Sequence, residues 1–261
     1  MNFIKVLRDP ERPETMAGEF DTVSNIRLEL PHTWIGKIFL TLDLDWAPDH
    51  ALLYAIEAVE RANVSATWLI THETPLLGKL RSNPHFQLGI HPNFNPLLDG
   101  TAPPGETART VVERLLEIVP EATAVRSHSL VQSSRLLDLL ADCGLTHDIN
   151  SLIPAAMACH SVPWKMPNGI IRVPFWWEDD LAFQGEQEAH VGEIISSGQI
   201  DKGVNCINFH PIHVYLNTSS QAQYEGARLD LQHPSRLSSH RNVGEGTHTD
   251  LEDVLRLAVQ P

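Results

Sequence analysis

At 261 residues, with 42% hydrophobic and 20% charged residues, the chain has the composition of an ordinary globular protein and is long enough for a large core. Its formal net charge of −14 excludes nonspecific attraction to nucleic acid or to anionic lipid as the basis of function. Three cysteines (Cys143, Cys159, Cys206) without CxxC spacing signal neither a disulfide framework nor a structural zinc cluster. The N-terminus reaches charge and proline before any signal-peptide core, and no run approaches 18 apolar residues, so the expected location is the cytoplasm, with no membrane partner.

Residues 1–37 are polar and poorly periodic and read as an N-terminal extension packing on a domain that spans 38–261. Lys37 to Asp45 (KIFLTLDLD) reads as the first core strand, Asp49 as the cap of a following helix, and Ser65 to Ile70 as the second strand. A short helix near Pro75 to Arg81, a strand Phe86 to His91 and a helix over Glu106 to Ile118 continue the alternation. Next come a strand entering Arg126, a helix over Ser134 to Asp142 that Gly144 closes, and strands at Leu145 to Ile149, Ile170 to Pro174 and Val204 to His210. Residues 217–246 read as a loop or partial lid, and Thr249 with Glu252 as a capping box opening a last helix. Strands alternating with helices imply a mainly parallel sheet, and the absence of a phosphate-binding glycine loop after any strand favours a barrel over a nucleotide-binding open sheet. In such barrels the chemistry sits at the C-terminal ends of the strands, where this sequence concentrates acids and histidines.

Along a strand Asp43 and Asp45 share a face, and two carboxylates that close are costly unless a cation or proton is shared between them. A divalent metal resolves the repulsion, with one Asp as ligand and the other as base; the competing reading is a pair that caps a helix or faces solvent. His91, ending the strand that carries Gly89, is a candidate metal ligand, and Gly89 leaves room for a neighbouring backbone. His210 belongs to the inward, strand-end set with Cys206 and Asn208 and suits a general acid, whereas His213 reads as a loop histidine. Arg126 closes another strand, where a guanidinium can orient a carboxylate. Trp176 and Trp177 form a sugar-binding wall or, equally, core; Glu178, Asp179 and Asp180 bind hydroxyls, orient His210 or lie in a solvated turn.

In order, TLDLDW, ATWLI, GIHPNFN, AVRSHSL, HDINSLIP, IIRVPFWW and INFHPIH resemble the motifs of the polysaccharide deacetylase family, the NodB-like or family 4 carbohydrate esterases, and within it the WbmS-like branch. The resemblance runs from about residue 38 to 258 and implies an α/β fold, a distorted (β/α)7 barrel binding a divalent metal ion, with zinc expected. It makes Asp43 the catalytic base, Asp45 and His91 metal ligands, Arg126 the residue orienting the base, and His210 the acid. Where the family places a second metal histidine this chain has Asn95, so the third ligand is Asn95 or His128. Trp46, Asn93, Trp176 and Trp177 are the candidate substrate contacts. The implied activity is hydrolysis of an N-acyl group, acetyl or formyl, on a sugar or sugar precursor of surface-polysaccharide biosynthesis. Its competitors are cleavage of a non-sugar C–N bond in a cyclic amide or ureide, and a degenerate, noncatalytic saccharide-binding barrel. Oligomeric state is not readable from the sequence.

Overall fold

The computed structural model describes residues 18–154, 157, 161–185, 191 and 203–258; Cys159 and the first seventeen residues of the extension lie outside them. Ten strands form one sheet: β1 (Glu19–Phe20), β2 (Lys37–Asp43), β3 (Ala66–Ile70), β4 (Phe86–Ile90), β5 (Ala124–Val125), β6 (His147–Leu152), β7 (Trp164–Lys165), β8 (Ile171–Phe175), β9 (Trp177–Glu178) and β10 (Asn205–Phe209). Their order is β7-β8-β6-β5-β4-β3-β2-β10-β9, with β1 beside the start of β2. Every pairing is parallel except β7 with β8. The extended run from Ile171 to Glu178 pairs with β6 through its first half and with β10 through its second, so the sheet curls back on itself as a distorted (β/α)7 barrel.

Alternation along the strands separates two apolar layers. Leu40, Leu42, Trp68, Ile70, Ile90, Val125 and Phe209 point outward into the core shared with the helices. Phe39, Leu69, Ala124, Ile149, Val173, Phe175 and Cys206 point inward and fill the barrel. Among the helices in the outer layer are α1 (Asp49–Ala62), α2 (Leu77–Ser82), α4 (Ala108–Ile118) and α5 (Ser134–Asp142), with the short α3 (Asn95–Leu98) following β4. Val23, Ile26 and Trp34 plug the end of the barrel where the strands begin. There the Val23 amide donates to Thr67 Oγ1 and His147 Nε2 lies 3.1 Å from the Ile26 carbonyl. Gly89 is required by contact: a Cβ there would lie 2.6 Å from the Ala124 carbonyl oxygen, so any side chain would force β4 and β5 apart.

Several local expectations are corrected. Strand β2 stops at Asp43, because Asp45 (φ 42°) and Trp46 (φ 54°) turn into the left-handed region. Asp49 is the first residue of α1, not its cap, and its carboxylate accepts from the Thr74 hydroxyl instead. The last helix starts at Thr247, two residues before the expected cap, because the Asn217 side chain accepts from the His248 and Thr249 amides. Residues 217–246 are largely short helices, among them Gln221–Ala227 and Pro234–Leu237, pinned through Ala227 and Leu237 to an apolar cluster with Ile212 and Leu216. Gly144, at φ 86°, does close α5.

Candidate active site

The inward-facing polar residues stack in layers toward the C-terminal ends of the strands. In the lower layer Thr41 Oγ1 lies 2.9 Å from Asn208 Oδ1 and accepts from Arg126 Nη2 at 3.0 Å. Above it, Asp43 Oδ1 accepts from Arg126 Nη1 at 2.9 Å and Asp43 Oδ2 from Asn208 Nδ2 at 3.0 Å. Arg126 is 0% exposed; its Nε donates to the Ile149 carbonyl and its guanidinium covers the Phe175 ring. A planar fork held on three sides is the geometry that fixes a carboxylate's orientation, which a lysine's point charge does not reproduce.

Asp45 sits beyond the strand on its left-handed turn, so the turn, and not strand alternation, aims its carboxylate back over the barrel. Asp45 Oδ1 lies 3.1 Å from His91 Nε2 and 3.2 Å from His128 Nδ1. Burial alone would raise Asp45, but the hydrogen bonds from His128 and His91 hold it well below the usual carboxylate range. The Asp45 hydrogen bond in turn raises His128, against the opposing effect of its burial. The turn places two non-glycine residues in an unfavourable conformation, each costing on the order of 1–3 kcal/mol, a strain typical of functional loops.

His210 is equally constrained. Its Nδ1 lies 2.6 Å from Asp179 Oδ1, its backbone amide donates to Asp179 Oδ2, and its Nε2 lies 3.7 Å from Asp45 Oδ2. Burial opposes a charge on His210, yet the Asp179 carboxylate overcomes it and raises the imidazole well above its ordinary value. Glu178, next to Asp179, receives the other amide hydrogen of Asn208, and burial together with the Asp180 charge pushes it up to about 8. The Cys206 thiol, buried below this layer, is pushed up to about 12 by desolvation and is no nucleophile.

The fold therefore gathers Asp43, Asp45, His91, Arg126, His128 and His210 around one point. The Asn95 side-chain amide is engaged beside that point, donating to Ser129 Oγ at 3.0 Å in the loop that carries His128. Trp176 and Trp177 are corrected from substrate wall to core: they are 7% and 0% exposed and belong to the cluster packed under the helices, with Trp177 against Phe209. Trp46 is 44% exposed, stands edge-on to His128 at 5.2 Å, and lines with Asn93, His72 and Arg114 a cleft of about 390 Å3 beside His91. His213 is a buried helix residue held edge-on between Tyr224 and Phe183, not a loop histidine. Asn208 has no role assigned from the sequence; its signal is an inward amide level with Thr41, flanked by the apolar Ile207 and Phe209.

The donor set can be tested against a metal. Tetrahedral zinc with bonds of about 2.0–2.1 Å separates its ligand atoms by about 3.3 Å. Asp45 Oδ1 lies near that spacing from both His91 Nε2 and His128 Nδ1, the three residues offer ligand atoms within 4.8 Å of one another, and a carboxylate with two imidazoles is a donor set that suits zinc. His91 Nδ1 is buried without a hydrogen-bond partner and lies 3.6 Å from Asp43 Oδ1, while Nε2 is the ring nitrogen turned toward Asp45.

The WbmS-like polysaccharide deacetylase family model matches residues 40–228. A search of the curated proteins finds no match. Among solved structures, the Bordetella bronchiseptica WbmS protein, assigned as a polysaccharide deacetylase involved in O-antigen biosynthesis, is 40% identical, covers 91% of this chain and 97% of its own, and superposes with a TM-score of 0.86. A Mycobacterium smegmatis protein assigned as a polysaccharide deacetylase is 13% identical over 91% of this chain and 95% of its own, with a TM-score of 0.49. A family 4 carbohydrate esterase from Streptomyces lividans, in complex with acetate, is 13% identical over 67% of this chain and 78% of its own, with a TM-score of 0.42. With a family model spanning most of the chain and a relative this similar over nearly its whole length, the chain belongs to the WbmS-like polysaccharide deacetylase family.

Proposed function

We propose that the chain is a zinc-dependent N-deacylase that removes an acetyl or formyl group from a sugar or sugar precursor of surface-polysaccharide biosynthesis, in the cytoplasm. The observation that carries this reading is the convergence of Asp45, His91 and His128 beside Asp43 and His210. Asp45, His91 and His128 would hold the ion, and Asn95 is left out of the set. A bound zinc would act as a Lewis acid toward the acyl carbonyl and toward water. Asp43 takes the proton of the attacking water, its carboxylate kept in one orientation by Arg126 and Asn208. His210 delivers a proton to the departing amine, and Asp179 keeps the imidazole charged and turned so that Nε2 faces the site. The products are a carboxylic acid and a free amino sugar, and the atoms of one water are divided between them.

The substrate class is supported by family membership and by the B. bronchiseptica relative's assignment to O-antigen biosynthesis. Trp46, exposed at the rim, and Asn93 in the cleft are the proposed sugar contacts. We also propose the division into an extension over 1–37 and a barrel domain over 38–261, supported by the way Val23 and Ile26 insert as a separate plug. No described helix is long and apolar enough to cross a membrane.

The experiment is metal analysis of chain purified without chelator, followed by assays of acetate or formate release from N-acylated sugars. Near-stoichiometric zinc, lost in Asp45→Ala, with acid release is the expected result. Turnover of cyclic ureides or imides instead would replace the sugar by another C–N substrate. Saccharide binding by a chain that takes up no metal would reduce it to a binding module.

A further inference from the structure

The loop that carries His128 lacks the support the other two proposed ligands have. His91 directly follows the five-residue β4 and Asp45 stands two residues past the seven-residue β2, whereas β5 is two residues long and ends three residues before His128. Beyond it, Ser129 (φ 57°) and Leu130 (φ 53°) are both left-handed, a conformation that non-glycine residues keep only when their surroundings enforce it.

The enforcement comes from the outer face of β6 and β8. Asn150 Oδ1 accepts from the amide of Ser127, the residue before His128, at 2.8 Å, and Asn150 Nδ2 donates to Asp148 Oδ1. Only one orientation of the Asn150 amide satisfies both contacts, since a flip would turn its oxygen toward the carboxylate and its NH2 toward an N–H. Asp148, 0% exposed, is itself paired with Arg172 Nη2 at 2.5 Å. Arg172 Nη1 donates at 2.6 Å to Gln132 Oε1, at the far end of the His128 loop. Gln132 Nε2 then donates to the Asn150 carbonyl at 3.2 Å. That carbonyl lies at a register irregularity of β6 opposite β8, where Pro174 offers no N–H. The circuit therefore closes on itself: Ser127 and Gln132, the two ends of the loop, are tied to one asparagine. The His128 amide adds a bond to the Pro92 carbonyl, linking the loop to the segment just after His91.

The geometry points to Asn150, Asp148, Arg172 and Gln132 as positioning residues for the metal site, a clamp buried except at Gln132 that sets where His128 stands relative to Asp45 and His91. This rests on the reading of Asp45, His91 and His128 as the ligand set. The clamp accounts for how a chain with Asn95 at the position of a ligand histidine assembles three ligands: the third comes from a loop made rigid from behind.

The test is cobalt(II) titration of full-length apoprotein, followed by the visible ligand-field bands, on the parent, Asn150→Ala and Gln132→Ala. Loss of an outer partner typically weakens a metal site by roughly 10- to 100-fold, and Asn150→Ala is expected in that range with altered band positions and intensity. Gln132→Ala, at the exposed end of the circuit, is expected to show a smaller loss in the same direction with an unchanged urea midpoint. Superimposable spectra and affinities for Asn150→Ala and parent overturn the inference while leaving the ligand set standing. A parent chain that takes up no cobalt overturns the ligand set, and the clamp with it. If Asn150→Ala lacks a cooperative unfolding transition, Gln132→Ala decides, and parent-like binding there refutes the clamp.

Discussion

The Arg126–Asp43 pair offers the sharpest check on how this site is built. Arg126→Met removes a guanidinium that is 0% exposed and makes three hydrogen bonds, to Asp43, Thr41 and the Ile149 carbonyl. Asp43 then remains as a carboxylate 1% exposed, with the Asn208 amide as its nearest donor. Stranding one partner of a buried pair costs about 3–5 kcal/mol, because the remaining charge keeps its desolvation penalty without its counterion. Asp43→Asn strands the guanidinium instead and should cost a similar amount, moderated by the two bonds Arg126 keeps. In the double variant both charges are gone, so the total should fall short of the sum of the singles by roughly 2 kcal/mol. The assay is urea unfolding followed by tryptophan fluorescence, with Trp68 and Trp177 buried in the core as reporters. Excess chelator keeps cation binding from shifting the equilibrium. Additivity within about 0.5 kcal/mol at an unchanged m value would refute the reasoning, since it would mean the two groups do not depend on each other.

Gly89→Ala should destabilise the fold by about 1–3 kcal/mol, read as a lower urea midpoint, because the new methyl meets the Ala124 carbonyl and Leu69 Cδ2 at 2.6 Å. Burial holds His147 below its ordinary value, against the Ile26 carbonyl that its Nε2 bonds. The unfolded chain therefore takes up a proton first: the contribution is complete above pH of about 6.5 and is lost as pH falls toward the folded value. The urea midpoint should drop between pH 7 and 5, and a His147→Gln variant that drops as steeply would contradict this. In cobalt titrations His128→Ala should lose more than the roughly 10- to 100-fold typical of an outer partner, whereas Asn95→Ala, which loses a bond to Ser129 in the His128 loop, should lose less than that range. The reverse order would move the third ligand back to Asn95.

The alternating strands and helices, the inward face carrying Cys206, Asn208 and His210, and the need for room at Gly89 were all legible in the residues themselves. These depend on period-two and period-3.6 patterning and on the absence of a side chain, which are local properties of the chain. What local patterning missed is instructive. Asp43 and Asp45 meet at the site, but through a left-handed turn that no alternation rule anticipates. Trp176 and Trp177 follow a strand as a sugar platform would, yet whether an aromatic faces a cleft or the helical layer depends on how the run Ile171–Glu178 crosses from β6 to β10.

By itself, then, the sequence determined the class of fold and which chemical groups stand at strand ends, because both follow from the order of residues along a strand. Only the tertiary structure brought His128 to Asp45 and His91, joined Asp179 to His210, and closed the ring of Asn150, Asp148, Arg172 and Gln132 behind the His128 loop. Those contacts link residues up to 83 positions apart, as between His128 and Asp45, and their partners are chosen by barrel closure and loop conformation, which no short window of sequence specifies.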